Sequence, residues 1–173
     1  MANNKYCGNV SDYAPVSEDQ SRVVIMYGLN PTENENAEWY QLDFYKKQGK
    51  PSFEAVKAAI LNDIDERVKA QIIGGFVWNE KPVWLSIENQ LNFSQATSPV
   101  TLKIGEQSDG TPIYQEFATK AELKAFNDAC NAWKQEQLTA GWAEKDCMDW
   151  APYEQALNPQ PEPETKSTKK SKK

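Results

Sequence analysis

The first twenty positions, through Asp19 and Gln20, are mixed polar and read as an irregular leader. Val23-Val24-Ile25-Met26-Tyr27 is a β-branched run ended by Gly28 and Asn30-Pro31, which predicts a strand. A polar loop, Thr32 to Glu38, follows. Tyr40, Leu42 and Phe44 then alternate with Gln41 and Asp43 within Trp39 to Tyr45, the period of a half-buried strand. The two runs together predict an N-terminal hairpin whose long polar connection fixes no register. After Gly49-Lys50-Pro51, Ser52 is placed to cap a helix reaching about Ile72. Its apolar stripe is Phe53, Val56, Ile60, Ile64, Val68 and Ile72, with Lys57, Asp63, Glu66 and Lys69 opposite. Gly74-Gly75 stops it.

Phe76 to Trp78, Asn79-Glu80-Lys81 and Pro82 to Leu85 read as a small hairpin, with Pro where its missing N–H does least harm. Ser86 with Glu88 opens a short helix through about Gln95. Val100, Leu102 and Ile104 alternate with Thr101 and Lys103 in another strand, which Ser108-Asp109-Gly110 turns into Thr111 to Phe117. Thr119 to Glu122 is a capping box. The helix it opens carries Leu123, Phe126, Cys130, Trp133 and Leu138 and is expected to end near Gly141, with Trp142 and Trp150 packing back on the core. From Asn158 the Pro, Glu, Ser and Lys composition predicts disorder. The pattern predicts an α+β fold: small antiparallel hairpins packed with two long amphipathic helices, and a disordered Lys-rich C-terminal tail. The expected divisions are a strand-bearing docking segment over 1–51, an α+β domain over 52–157 and the basic tail over 158–173.

Composition narrows the function classes. At 173 residues and 19.6 kDa the chain fits one ordinary domain. A mean hydropathy of −0.75 and the lack of a long apolar run exclude a predicted membrane span. Met1 to Val10 is polar, so the start of the chain gives no expectation of classical secretion. With no histidine, Ser-His and Cys-His nucleophile pairs, His general bases and most catalytic zinc sites cannot be built from this chain. Cys7, Cys130 and Cys147 have no CxxC spacing and read as buried or incidental thiols. The last sixteen residues hold five of the 19 basic and two of the 25 acidic side chains. Residues 1–157 thus carry 14 basic against 23 acidic, a net of −9, which argues against a duplex nucleic acid as the main partner.

Carboxylates are the remaining route to catalysis, since glycoside hydrolysis needs only a pair of them. Asp63 and Glu66 sit one turn apart opposite the apolar stripe and read as a solvated face. Glu144, Asp146 and Asp149 lie beside Trp142 and Trp150, either as acids around an aromatic sugar floor or as an ordinary helix end with buried tryptophans. Glu33, Asn34, Glu35 and Asn36 are hard oxygen donors, but the spacing of an EF-hand loop is missing. Asn9-Val10-Ser11 and Asn92-Phe93-Ser94 match the glycosylation sequon by chance. What stands out is aromatic surface: Trp39, Tyr45, Trp78, Trp84, Tyr114 and Tyr153 cannot all point inward if strands alternate. Trp78 and Trp84 flank one turn, as a cross-strand pair or as a contact platform.

The stretch Gly74-Gly75-Phe76-Val77-Trp78-Asn79-Glu80-Lys81-Pro82-Val83-Trp84-Leu85-Ser86-Ile87-Glu88-Asn89-Gln90-Leu91-Asn92-Phe93 resembles a domain family of unknown function from phage and prophage tail-region proteins. Members carry a charged amphipathic helix, a glycine, an aromatic and Trp-Asn, a short polar element with Gln and Asn, and a closing helix. The Pro-Val-Trp-Leu-Ser and Glu-Asn-Gln wording looks like the form in Bacteroides-type phages. The likeness spans about residues 52–150. It implies a non-enzymatic virion protein, tail- or fibre-associated, assembled in the bacterial host cytoplasm and bound to other phage structural proteins, with a symmetric homo-oligomer expected. It transfers no catalytic, cofactor or metal residue. The expected partner contacts are Trp39, Trp78, Asn79 and Trp84, with no membrane and no specific nucleic acid. The alternatives are a non-virion assembly chaperone or binding module, and a carboxylate-based glycan hydrolase using Glu144, Asp146 or Asp149.

Overall fold

Antiparallel hairpins and two long helices make up the chain, as the periodicity predicts. The structure, a computed structural model, describes residues 5–158. In chain order the elements are β1 (Lys5–Asn9), β2 (Val16–Glu18), β3 (Arg22–Pro31), β4 (Asn36–Tyr45), α1 (Phe53–Gly74), β5 (Phe76–Trp78), β6 (Lys81–Val83), α2 (Ile87–Gln95), β7 (Val100–Glu106), β8 (Pro112–Phe117), α3 (Lys120–Asp146) and α4 (Ala151–Leu157). Nearly all the expected disordered tail lies outside the described residues.

The described chain divides into two units, one of residues 5–58 with 149–158 and one of Ala59–Met148. The division falls at 58/59 and 148/149, beside the expected boundary at 51/52. No linker marks the division, because α1 runs without a break from Phe53 to Gly74 and contributes to both units.

In the first unit, four antiparallel strands are ordered β1-β4-β3-β2. Val23, Ile25 and Tyr27 lie directly across from Phe44, Leu42 and Tyr40, so the apolar faces of the two long strands coincide. The Tyr27 and Tyr40 rings stack at 5.5 Å. Both strands outrun their apolar cores, and the connection shrinks to residues 32–35, with Asn34 and Glu35 left-handed. The leader is not irregular. It forms both edge strands, which are short and mostly exposed and so carry no apolar alternation to read. On the second face of β4, Ala37 and Trp39 are buried. Gly8 makes room for Trp39, since a Cβ there would stand 2.5 Å from the indole Cη2. The α4 residue Tyr153 donates its hydroxyl to the Met26 carbonyl at 2.8 Å, and burial pushes its phenol above the ordinary range. Trp150 meets Phe53 edge-on and lies under the Lys57 ammonium, at 5.3 Å from the ring centroid.

The second unit is built around Phe126 of α3, fully buried, whose ring centroid lies 4.9 Å from Phe117, 5.2 Å from Phe93 and 5.5 Å from Trp78. Phe76, Val83, Leu85, Ile104, Leu123 and Cys130 complete this core. The capping box forms as predicted: Thr119 Oγ1 accepts from Glu122 N, and Glu122 accepts from Thr119 N. Gly141 does not end α3, which continues to Asp146. Its role is space, because a Cβ there would stand 2.4 Å from Val68 Cγ2 of α1. Trp142, one residue on, is 53% exposed and does not pack back on the core.

The β5–β6 turn places both central residues left-handed, Asn79 at φ 47 and Glu80 at φ 64. That is the backbone of a type I′ hairpin, for which Asn-Gly is the best-matched pair. Glu80→Gly is expected to stabilise the chain by roughly 0.5–1 kcal/mol, since relief of the left-handed Cβ outweighs the added freedom of the unfolded chain. A higher urea midpoint at unchanged slope is the expected reading; a lower midpoint contradicts it.

Candidate functional site

The segment 76–93 carries Val77, Trp84, Ile87 and Leu91 as exposed large apolar side chains of the second unit, with Tyr114 and Trp142 exposed outside it. Along β5, Phe76 faces the core, Val77 faces solvent at 57% exposure, and Trp78 is half-buried with its edge against Phe126. In the ladder Phe76 pairs with Val83, Val77 with Pro82 and Trp78 with Lys81. The Trp78–Trp84 cross-strand pair is therefore not formed: Trp84 lies beyond the last rung, and across from Trp78 stands a lysine. Trp84 is instead pinned by its backbone. Its N–H donates to the Ile104 carbonyl at 2.7 Å, and its carbonyl accepts from Asn89 Nδ2 at 2.8 Å. The indole itself is half-exposed.

Ser86 caps α2 by accepting from Asn89 N. Gln90 Nε2 holds the Leu85 carbonyl at 2.8 Å, and Phe93 points into the core. With those inward positions set, Ile87 and Leu91, one turn apart, face solvent at 79% and 54% exposure. Apolar residues at that spacing are ordinarily the buried stripe of a helix. Of the two chance sequon matches, Asn92 flanks the buried Phe93, and Asn9 caps the short 3-10 turn that follows β1.

Of the four expected contact residues, Asn79 and Trp84 are exposed and Trp78 is half-buried. Trp39 is corrected: at 6% exposure, with Tyr13 edge-on at 6.2 Å, it is a core side chain of the other unit and cannot present its ring to a partner. Among the other aromatics, Tyr45 and Tyr114 are exposed and Tyr153 is buried. Ile87 and Leu91 went unread in the sequence. Their i, i+4 spacing was the available signal, but spacing alone does not say which side of a helix meets the core.

The carboxylates are engaged in holding helices. Arg67 of α1 donates Nη2 to Glu144 of α3 at 2.6 Å and Nε to Asp63 at 3.3 Å. One half-buried guanidinium thus joins α1 to α3, and Lys145 with Asp65 adds a second bridge. Asp63 is accordingly not part of a freely solvated face, and Glu144 is committed to an ion pair instead of standing as an acid beside Trp142. Asp149 accepts from Ala151 N at 3.1 Å at the start of α4. In the 32–36 turn, Thr32 N donates to the Asn36 carbonyl at 2.7 Å and Asn36 N to the Glu33 carbonyl. Among the described residues, no three potential metal ligands of the His, Cys, Asp and Glu types converge, and no helix is long and apolar enough to cross a membrane. All three thiols are free, with Cys7 and Cys147 exposed; burial pushes that of Cys130 up to about 12.

No protein family, no curated protein and no solved structure matches the chain. The chemistry available on the 76–93 surface is therefore read from its geometry: two solvent-facing aliphatic side chains on α2, with Val77, Asn79 and Trp84 exposed on the preceding hairpin.

Proposed function

We propose that this chain is a non-enzymatic bacteriophage virion structural protein, tail- or fibre-associated, that works through protein–protein contacts. The observation that carries the reading is the outward placement of Ile87 and Leu91 on a helix whose other side is fixed by Ser86, Gln90 and Phe93. Burying two such side chains against a neighbour gains about 1.5–3 kcal/mol each. The phage setting rests on the likeness of residues 74–93 to tail-region domains, and the oligomeric expectation on the symmetry usual in such assemblies.

The test is mass spectrometry of purified particles together with light scattering of the isolated chain. The expected result is a chain retained in the particle and larger than a monomer in solution. The double variant Ile87→Glu with Leu91→Glu should keep its circular dichroism, because both positions face water, and should fail to enter particles. A lone monomer absent from particles, or a double variant incorporated like the wild type, would sink the proposal. Presence in infected lysate but not in particles points instead to an assembly chaperone.

A further inference from the structure

The groove beside Trp84 has a composition that an apolar docking face does not require. It measures about 370 Å³, opens to solvent, and is walled by Trp84, Ser86, Glu88, Asn89, Lys103 and Glu106. That volume falls near the lower end of the roughly 300–1,000 Å³ typical of small-molecule sites.

Two local features assemble these side chains. On a regular strand Lys103 and Glu106, three residues apart, point to opposite faces. The register shift between Lys103 and Gly105 leaves one extra residue on β7, which changes the parity, and Lys103 Nζ pairs with Glu106 Oε1 on one side of the strand. On the facing wall, the Ser86 cap sets Glu88 in the first turn of α2. The backbone N–H of Glu88 and the Ser86 hydroxyl hold its carboxyl below the ordinary range, which keeps it an acceptor. Asn89 spends one N–H on the Trp84 carbonyl, which fixes its amide and leaves the amide oxygen to accept. Trp84 also lines the groove, half-exposed on a pinned backbone.

Charge narrows the ligand class: Lys103 and Glu106 neutralise each other, and Glu88 adds a negative charge that opposes an anion. A neutral ligand whose hydroxyls both donate and accept satisfies the carboxylates, the amide oxygen and the ammonium together. The indole face needs an apolar flat surface above it. A pyranose ring offers both, a C–H face and a rim of hydroxyls. We infer that this groove binds a neutral saccharide, with one sugar ring stacked on Trp84 and its hydroxyls shared among Glu88, Asn89, Lys103 and Glu106. This inference does not rest on the virion reading, since neither Ile87 nor Leu91 lines the groove, although Trp84 is shared with the expected partner contacts.

The test is titration of the full chain with cellobiose, lactose and N,N′-diacetylchitobiose, followed by the indole N–H resonances. The expected result is a saturable shift of one indole, with Kd on the order of 1 mM for at least one disaccharide. That resonance is identified by its loss in Trp84→Phe. Glu88→Gln should weaken the same titration roughly tenfold, the worth of one charge-assisted hydrogen bond. The inference is overturned if none of the three sugars gives a saturable shift, if the responding indole is another tryptophan, or if tetramethylammonium or sulfate moves the Trp84 signal more than the sugars do. Should Trp84→Phe fail to fold, the wild-type titration and Glu88→Gln, altered only at an exposed carboxylate, still decide the matter.

Discussion

Phe126→Ala is expected to lower stability by about 3–5 kcal/mol, the range for removing a fully buried phenylalanine. The position has no exposure, and its ring meets Trp78 of β5, Phe93 of α2 and Phe117 of β8. Each such ring pair adds about 0.5–1.5 kcal/mol beyond its buried area. The cavity would be walled by residues on three different elements, so no single side-chain movement can fill it. For a chain of this length the loss corresponds to a fall in melting temperature of roughly 6–20 °C. Urea and thermal unfolding of the full chain measure it. A loss below about 1 kcal/mol would show that the three surrounding rings do not depend on the fourth.

The second large effect is at Gly105. A Cβ built there would stand 2.4 Å from the Pro82 carbonyl oxygen and 3.3 Å from the Pro82 carbonyl carbon, both backbone atoms. β6 and β7 would have to separate, straining the hydrogen bond from Trp84 N to the Ile104 carbonyl. Gly105→Ala is therefore expected to cost roughly 2–4 kcal/mol, an overpacking penalty plus part of one hydrogen bond. Gly141→Ala is the informative control. Its Cβ would also meet an atom at 2.4 Å, but that atom is Val68 Cγ2, a side-chain methyl whose displacement breaks no backbone pairing. Alanine also gains about 1 kcal/mol of helix propensity over glycine inside α3. Parallel denaturation of the two variants should find Gly105→Ala clearly the worse; equal losses would falsify the claim that backbone approach sets the cost at Gly105.

The legible parts of the fold are those written in short-range chemistry. The stripe from Phe53 to Ile64 is buried as its spacing predicts, the capping box of Thr119 and Glu122 forms with both bonds, and Asp109-Gly110 turns β7 into β8. The edge strands β1 and β2 were not legible, because a mostly exposed strand needs no apolar alternation and draws its order from the neighbour it pairs with. Gly141 was misread for a related reason. A glycine that stops a helix and one that lets another helix approach look the same in a sequence, and only Val68, 73 positions earlier, tells them apart.

The candidate sites divide the same way. Exposure of Trp84 and burial of Trp39 follow from which neighbours reach each ring: Trp39 meets Tyr13 and the space left by Gly8, whereas Trp84 is pinned through its backbone and keeps about half its surface open. Local periodicity, caps and turn residues are interactions within a few positions, so the chain by itself determined the α+β class, the two long helices and most hairpins. Which aromatic rings face water, which acids are tied to Arg67, and how one extra residue on β7 turns Lys103 and Glu106 to a common side depend on partners far away in the chain. Those were decided only when the strands and helices packed, because packing and register, unlike propensity, are properties of pairs of segments.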